Sequence, residues 1–113
     1  MYQIRQTNQF SSWLSKLKDV KGKVSIFRRI DRIRKGNFGD YKSVGGNIFE
    51  LRFTIGPAYR VYYTKVEDEI ILLLIAGDKS TQSEDIKKAK ELAKEYSNEK
   101  WINRFWYITI FRQ

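Results

Sequence analysis

Between positions 50 and 79 the chain sets three cations, a carboxylate and a tyrosine at spacings that a pair of β-hairpins would gather on one surface. Glu50 and Arg52 are two residues apart and leave an extended strand on the same side, and Arg60 and Tyr62 repeat that spacing beyond the Gly56-Pro57 break. Lys79 follows the end of an apolar run at 70–76. Converging on one concave face, Arg52, Arg60 and Lys79 with Tyr62 would hold a phosphodiester, neutralise charge on a pentacovalent phosphorus and help a 5′ oxygen leave. That scheme requires no metal and no cofactor. The same pattern also describes a solvated sheet face on which Glu50 pairs with Arg52 or Arg60.

Two further segments have the composition of an anion site. Residues 36–46 (GNFGDYKSVGG) could lend backbone N–H groups and Lys42 to a phosphate, but they lack the Gly-Lys-Ser/Thr ending of a P-loop. Alternatively, these glycines stop a helix and turn the chain into a hairpin, with Phe38 packed beneath. Arg28, Arg29, Arg32 and Lys35 stand against a single Asp31, a density of charge suited to an RNA backbone or to an acidic protein. Tyr62 is the tyrosine placed for base stacking, because Tyr59 and Tyr63 share the apolar side of their strand with Val61.

Composition sets the outer limits. At 113 residues, with 42% hydrophobic residues, the chain is one domain with a modest core. It has no His and no Cys, which removes imidazole catalysis, thiol catalysis and disulfides and leaves only carboxylates for a metal. Neither a membrane span nor a secretory leader is legible, so a cytoplasmic protein is expected. The net charge of +9 is concentrated in the first 35 residues, which hold ten Lys or Arg against Asp19 and Asp31. A polyanion is the leading class of partner.

The elements that must position these groups follow from periodicity. Residues 1–6 are compatible with a strand, and Thr7 or Asn8 would cap a helix whose Phe10, Trp13, Leu14 and Leu17 fall at i, i+3, i+4 and i+7. A second helix over 20–35 would bury Val24, Ile26, Phe27, Ile30 and Ile33 and stop at Gly36. From Ile48 the period becomes two, with Phe49, Leu51, Phe53 and Ile55 facing the core. A second strand covers 59–64, and residues 70–76, apolar on both faces, form a central strand. Thr81 and Glu84 have capping-box spacing before a third helix with stripe Ile86, Ala89, Leu92, Ala93 and Tyr96. Residues 98–113 are rich in aromatics, and 106–111 alternate like a further strand.

Several of these segments, in this order, resemble the RelE/ParE superfamily of toxins, particularly the HigB-like, phage-derived addiction module killer proteins. They are Phe10-x-x-Trp13-Leu14, Arg29-Ile30-x-Arg32, Gly36-Asn37-Phe38-Gly39-Asp40, Glu50-Leu51-Arg52, Gly56-Pro57-x-Tyr59-Arg60-Val61-Tyr62-Tyr63 and Leu73-Leu74-x-Ala76-Gly77-Asp78-Lys79-Ser80-Thr81-Gln82. The resemblance implies an α+β, RelE-like fold: an N-terminal helical hairpin on a twisted, mainly antiparallel sheet of four to five strands, with a third helix near the C-terminus. It assigns residues 1–97 to the toxin domain and leaves 98–113 as an aromatic extension.

The implied function is that of the toxin of a type II toxin–antitoxin system, a ribosome-dependent messenger-RNA endoribonuclease in which the ribose 2′-OH attacks the adjacent phosphate. Its partners would be an antitoxin, helix-turn-helix and HigA-like, together with the ribosome and its message. By motif, Arg60 matches the strand arginine on the scissile phosphate, Lys79 matches a cation after the central strand, and Arg52 is a weaker match. Some relatives place a tyrosine or histidine shortly after that strand, where this chain has Asp85 or Ile86, and Glu50 is then the candidate base. Two other functions stay open: a ParE-like inhibitor of DNA gyrase with no nuclease activity, and a degenerate toxin that only binds its antitoxin.

Overall fold

A computed structural model describes residues 1–96, in the order β1 (Gln3–Gln6), α1 (Asn8–Lys16), α2 (Val20–Arg34), β2 (Tyr41–Gly45), β3 (Ile48–Arg52), β4 (Tyr59–Val66), β5 (Ile70–Asp78), a single 3-10 turn (Lys79–Thr81) and α3 (Gln82–Tyr96). The strand expected within 98–113 lies outside the described residues. The five strands form one sheet ordered β1-β5-β4-β3-β2, antiparallel except for the parallel β1–β5 pair. Among the described residues no helix is long and apolar enough to cross a membrane.

Alternation along the strands builds two cores, one on each sheet face. Leu51, Phe53, Tyr59, Val61, Tyr63, Ile71 and Leu73 pack under Phe10 and Leu14 of α1 and Ile26, Ile30 and Ile33 of α2. Ile48, Tyr62, Leu72 and Leu74 pack under Ala89, Leu92 and Tyr96 of α3. The result is a helix–sheet–helix sandwich, and the expected helical hairpin occupies one layer. The apolar run of β5 feeds both cores, which is why it shows no alternation.

Local signals explain the boundaries. Thr7 caps α1, accepting from the Phe10 N–H at 3.0 Å while donating its hydroxyl to the Leu74 carbonyl at 2.6 Å. Leu74 sits where the β4–β5 register slips between Tyr62 and Tyr63, so the cap also secures a bulge. Asp19 caps α2 through the Gly22 N–H at 3.1 Å.

Three details differ from the periodicity reading. Residues 41–45, expected as loop, form edge strand β2, joined to β3 by Gly46-Asn47, both at positive φ as a tight hairpin requires. The cap ahead of α3 is Asp78 rather than Thr81: Asp78 Oδ1 accepts from the Ser80 N–H at 2.8 Å, and the Thr81 hydroxyl accepts from the Asp78 N–H at 3.2 Å. Val24 and Phe27, expected in the core, are 42% and 54% exposed, and Ile55, expected to face the core from its strand, lies past the end of β3 and is 39% exposed. The two helix residues lie on the far side of α2 from Ile26, Ile30 and Ile33, the stripe that meets the sheet.

Candidate functional site

The strand register decides which of the sequence candidates meet. Lys42 lies opposite Glu50, and Glu50 opposite Tyr62, so these three share the α3 face of the sheet. In the next row on that face Arg52 is opposite Arg60, and Arg60 opposite Gly77. Lys79 begins the turn directly after β5 and is exposed. Lys42, Arg52 and Arg60 therefore form a basic shelf on one face, with Lys79 following at the end of β5, where α3 begins.

A buried polar cluster sits at the back of the shelf. The Glu50 side chain is fully buried, and its Oε2 accepts from the Tyr62 hydroxyl at 2.9 Å and from Gln82 Nε2 at 2.7 Å. Its Oε1 lies 4.0 Å from Arg60 Nε, and neither atom has a hydrogen-bond partner among the described residues. Arg60 Nη1 spreads over the carbonyls of Phe53, Ala58 and Tyr59 at 3.2–3.4 Å. Burial, reinforced by the bond to the Glu50 carboxylate, pushes the Tyr62 phenol far above its ordinary range, so it remains a neutral donor.

Around this cluster the shelf is open. The Arg52 side chain is 41% exposed, with Nε 3.6 Å from Asp40 Oδ2. Both partners face solvent, so this pair contributes little and leaves Arg52 available to a ligand. Lys42 is also exposed.

The structure corrects three assignments. Tyr62 has no exposed surface and cannot stack on a base. Glu50 is not an open proton acceptor, because Gln82 and Tyr62 occupy one oxygen and the side chain is sealed. Arg29 is a bracket for the chain ahead of β2 and the end of β3: Nε donates to the Phe38 carbonyl at 3.2 Å, Nη1 to that of Arg52 at 2.9 Å and Nη2 to that of Asp40 at 2.6 Å, with the guanidinium 4.8 Å from the Phe53 ring centroid. Its neighbour Gly39, at φ +68°, sits so close that a Cβ there would meet Arg29 Nε at 2.8 Å.

Arg28, Arg32 and Lys35 are exposed, but they lie on α2 and its C-cap, on the opposite layer from the shelf. Lys35 is already 3.5 Å from Asp31. The basic helix and the basic hairpin therefore do not form one surface.

Two residues at the mouth of the shelf escape periodicity reasoning. Gln82 roofs Glu50 from the first turn of α3. Asp85, one turn on, accepts from the Thr81 hydroxyl at 2.5 Å, and burial raises its pKa. Asp85 and Thr81 approach β5 because residue 77 is glycine: a Cβ there would stand 2.0 Å from Asp85 Oδ2 and 2.6 Å from Thr81 Oγ1. The available signal was the four-residue spacing of Thr81 and Asp85 across a helix start.

Comparison with known proteins agrees with this architecture. Residues 12–97 match the family model "Phage derived protein Gp49-like". An uncharacterized protein of Haemophilus influenzae is 54% identical over 93 residues, covering 82% of this chain and 94% of its own length. Among solved structures, the isolated E. coli RelE toxin superposes with TM-score 0.59 at 13% identity, covering 77% of this chain and 97% of RelE. A chain of the E. coli RelBE toxin–antitoxin complex gives TM-score 0.59 at 11% identity, covering 69% and 96%. At such identities the structural likeness is one of fold, that of RelE, whereas the family match spans most of the sequence; the chain belongs to the phage-derived Gp49-like family.

Proposed function

We propose that this protein is the toxin of a toxin–antitoxin pair and that it cleaves messenger RNA in a ribosome-dependent manner, on the shelf between β2, β3, β4 and the start of α3. The observation that carries the reading is the strand register, which ranks Lys42, Arg52 and Arg60 on one face. In the reaction, the ribose 2′ oxygen attacks the neighbouring phosphorus as its proton passes to water, the bond to the 5′ oxygen breaks, and that oxygen takes up a proton from water. The products are a cyclic phosphate and a 5′-OH end.

Arg52, Lys42 and Lys79 have the exposure to grip the non-bridging oxygens. Arg60 supports the shelf from behind, its Nη1 held by the carbonyls of Phe53, Ala58 and Tyr59. Asp85 stands at the rim, where it accepts from the Thr81 hydroxyl and burial raises its pKa. Glu50 would enter the chemistry only if Gln82 swung away.

Induction of the chain in a bacterium, followed by primer extension on cellular messages, tests this reading. Cuts within translated messages, lost in Arg52→Ala and Lys79→Ala, are expected. Growth arrest with intact messages would refute it. The confinement of Arg60 and Glu50 favours a second reading, a gyrase-directed binding toxin without chemistry. That reading predicts a DNA-damage response, with toxicity that survives Arg52→Ala.

A further inference from the structure

Among the described residues, six large hydrophobic side chains are conspicuously exposed, and three of them, Val20 at 72%, Val24 at 42% and Phe27 at 54%, stand on α2. Their spacing of i, i+4 and i+7 puts them on one line along the solvent side of the helix. Lys21, Arg28 and Arg32 form a parallel line beside it, and Val20, Val24 and these cations line an open groove of about 440 Å³. On the other flank, Phe27 and Lys23 line a second groove of about 350 Å³ against α1. The acidic residue on this side, Asp31, is already matched by Arg34 at 3.4 Å and Lys35 at 3.5 Å. Arg28 and Arg32 form no ion pair among the described residues.

We infer that the outer face of α2 is a docking surface for an acidic amphipathic helix of a partner protein. An apolar line beside a row of cations is the complement of a helix whose apolar stripe is bordered by Asp and Glu. RNA fits less well, because phosphates would use the cations and leave Val20, Val24 and Phe27 against water. The chain's own residues 97–113 also fit poorly, since they bring Lys100, Arg104 and Arg112 against a single Glu99 and would meet like charge. With 15 residues, α2 is about 22 Å long, enough to seat about four turns of a partner helix. The inference holds whether or not the shelf cleaves RNA, because this surface lies on the opposite layer.

The test uses the full chain and three fluorescein-labelled probes: an amphipathic Leu/Glu peptide of about 18 residues, the same peptide with Lys replacing Glu, and a short oligouridylate. Fluorescence anisotropy at low salt should show the acidic peptide binding about tenfold or more tighter than its lysine counterpart. Val24→Asp and Phe27→Asp should each weaken it by about tenfold, with Val24→Ser and Phe27→Ser as milder variants. Circular dichroism of each variant verifies folding. Equal binding of both peptides, or acidic-peptide binding indifferent to Val24 and Phe27, would overturn the inference. So would oligouridylate binding that depends on Arg28 and Arg32 with no peptide binding, which would make this an RNA surface. Sedimentation showing a dimer dissolved by Val24→Asp would instead assign the face to a second copy of the chain.

Discussion

Replacing Glu50 separates a structural carboxylate from a catalytic one. The wild-type side chain is sealed, accepts two hydrogen bonds and lies 4.0 Å from the Arg60 guanidinium. At an effective dielectric constant of about 20, opposite charges at that distance attract by about 4 kcal/mol, much of which offsets the cost of removing both from water. Glu50→Ala removes the acceptor for the Tyr62 hydroxyl and leaves Arg60 as an uncompensated buried charge, so a loss of about 3–5 kcal/mol is expected. Glu50→Gln retains an oxygen for Tyr62 but loses the charge, and about 1–3 kcal/mol is expected. Urea unfolding supplies the stabilities, and primer extension on cellular messages, scaled to the folded fraction, supplies the activity. A positioning role predicts that Glu50→Gln is destabilised while cleavage per folded molecule persists. Full stability in Glu50→Ala would refute the packing argument, and loss of all cleavage in a stable Glu50→Gln would restore Glu50 as the proton acceptor.

Arg29→Ala removes three donors from the carbonyls of Phe38, Asp40 and Arg52. A loss of about 2 kcal/mol and faster amide exchange over 38–41 are expected, with Arg29→Lys unable to restore both because an ammonium cannot span the fork. Gly77→Ala should cost about 1–3 kcal/mol, since its Cβ overlaps Asp85 and Thr81, and the start of α3 should shift in an amide chemical-shift map. Asp85, whose pKa is raised by burial, binds its proton more tightly folded than unfolded, so it lowers stability as the pH rises through and above its ordinary 3.8. Asp85→Asn should therefore raise the melting temperature at neutral pH and leave it nearly unchanged well below pH 3.8, where both forms are uncharged. The opposite sign applies to Asp78, held low chiefly by its bond to the Ser80 side chain, whose contribution disappears as the pH falls below 3.8.

Alternation made the sheet legible because each strand serves two chemically distinct faces. Leu51, Phe53, Val61 and Tyr63 announce one core, and the two-sided run of β5 announces its burial. The same period ranked Glu50 with Arg52 and Arg60 with Tyr62, and the register agrees. Period alone could not say that α3 would roof Tyr62 and Glu50, because that depends on the angle at which Gly77 lets the helix start approach β5. Nor could it distinguish Arg29 from Arg28: the two are adjacent on α2, yet one reaches the backbone ahead of β2 and the other reaches solvent. Edge strand β2 went unread because Tyr41, Lys42 and Ser43 are all exposed, so its sequence carries no apolar alternation.

The helix–sheet–helix layering constrains any account of how a partner would restrain this protein. The shelf lies on the α3 side and the α2 docking face on the other, separated by the sheet and by the thickness of α2 itself. Helix and sheet layers each span about 10 Å, so charges on the outer face of α2 lie beyond a Debye length of about 8 Å at physiological salt. An acidic helix bound there would neutralise Arg28 and Arg32 yet barely change the potential at Arg52 and Lys79. Its influence would have to be steric, keeping a large target from seating around the protein rather than filling the shelf. A small RNA substrate should then be handled equally well with the α2 face occupied or free, while a target as bulky as a ribosome should be excluded. A helix that instead displaced α3 would uncover Glu50 and Tyr62 and alter small-substrate binding directly. Measuring oligouridylate affinity with and without the acidic peptide distinguishes these two modes.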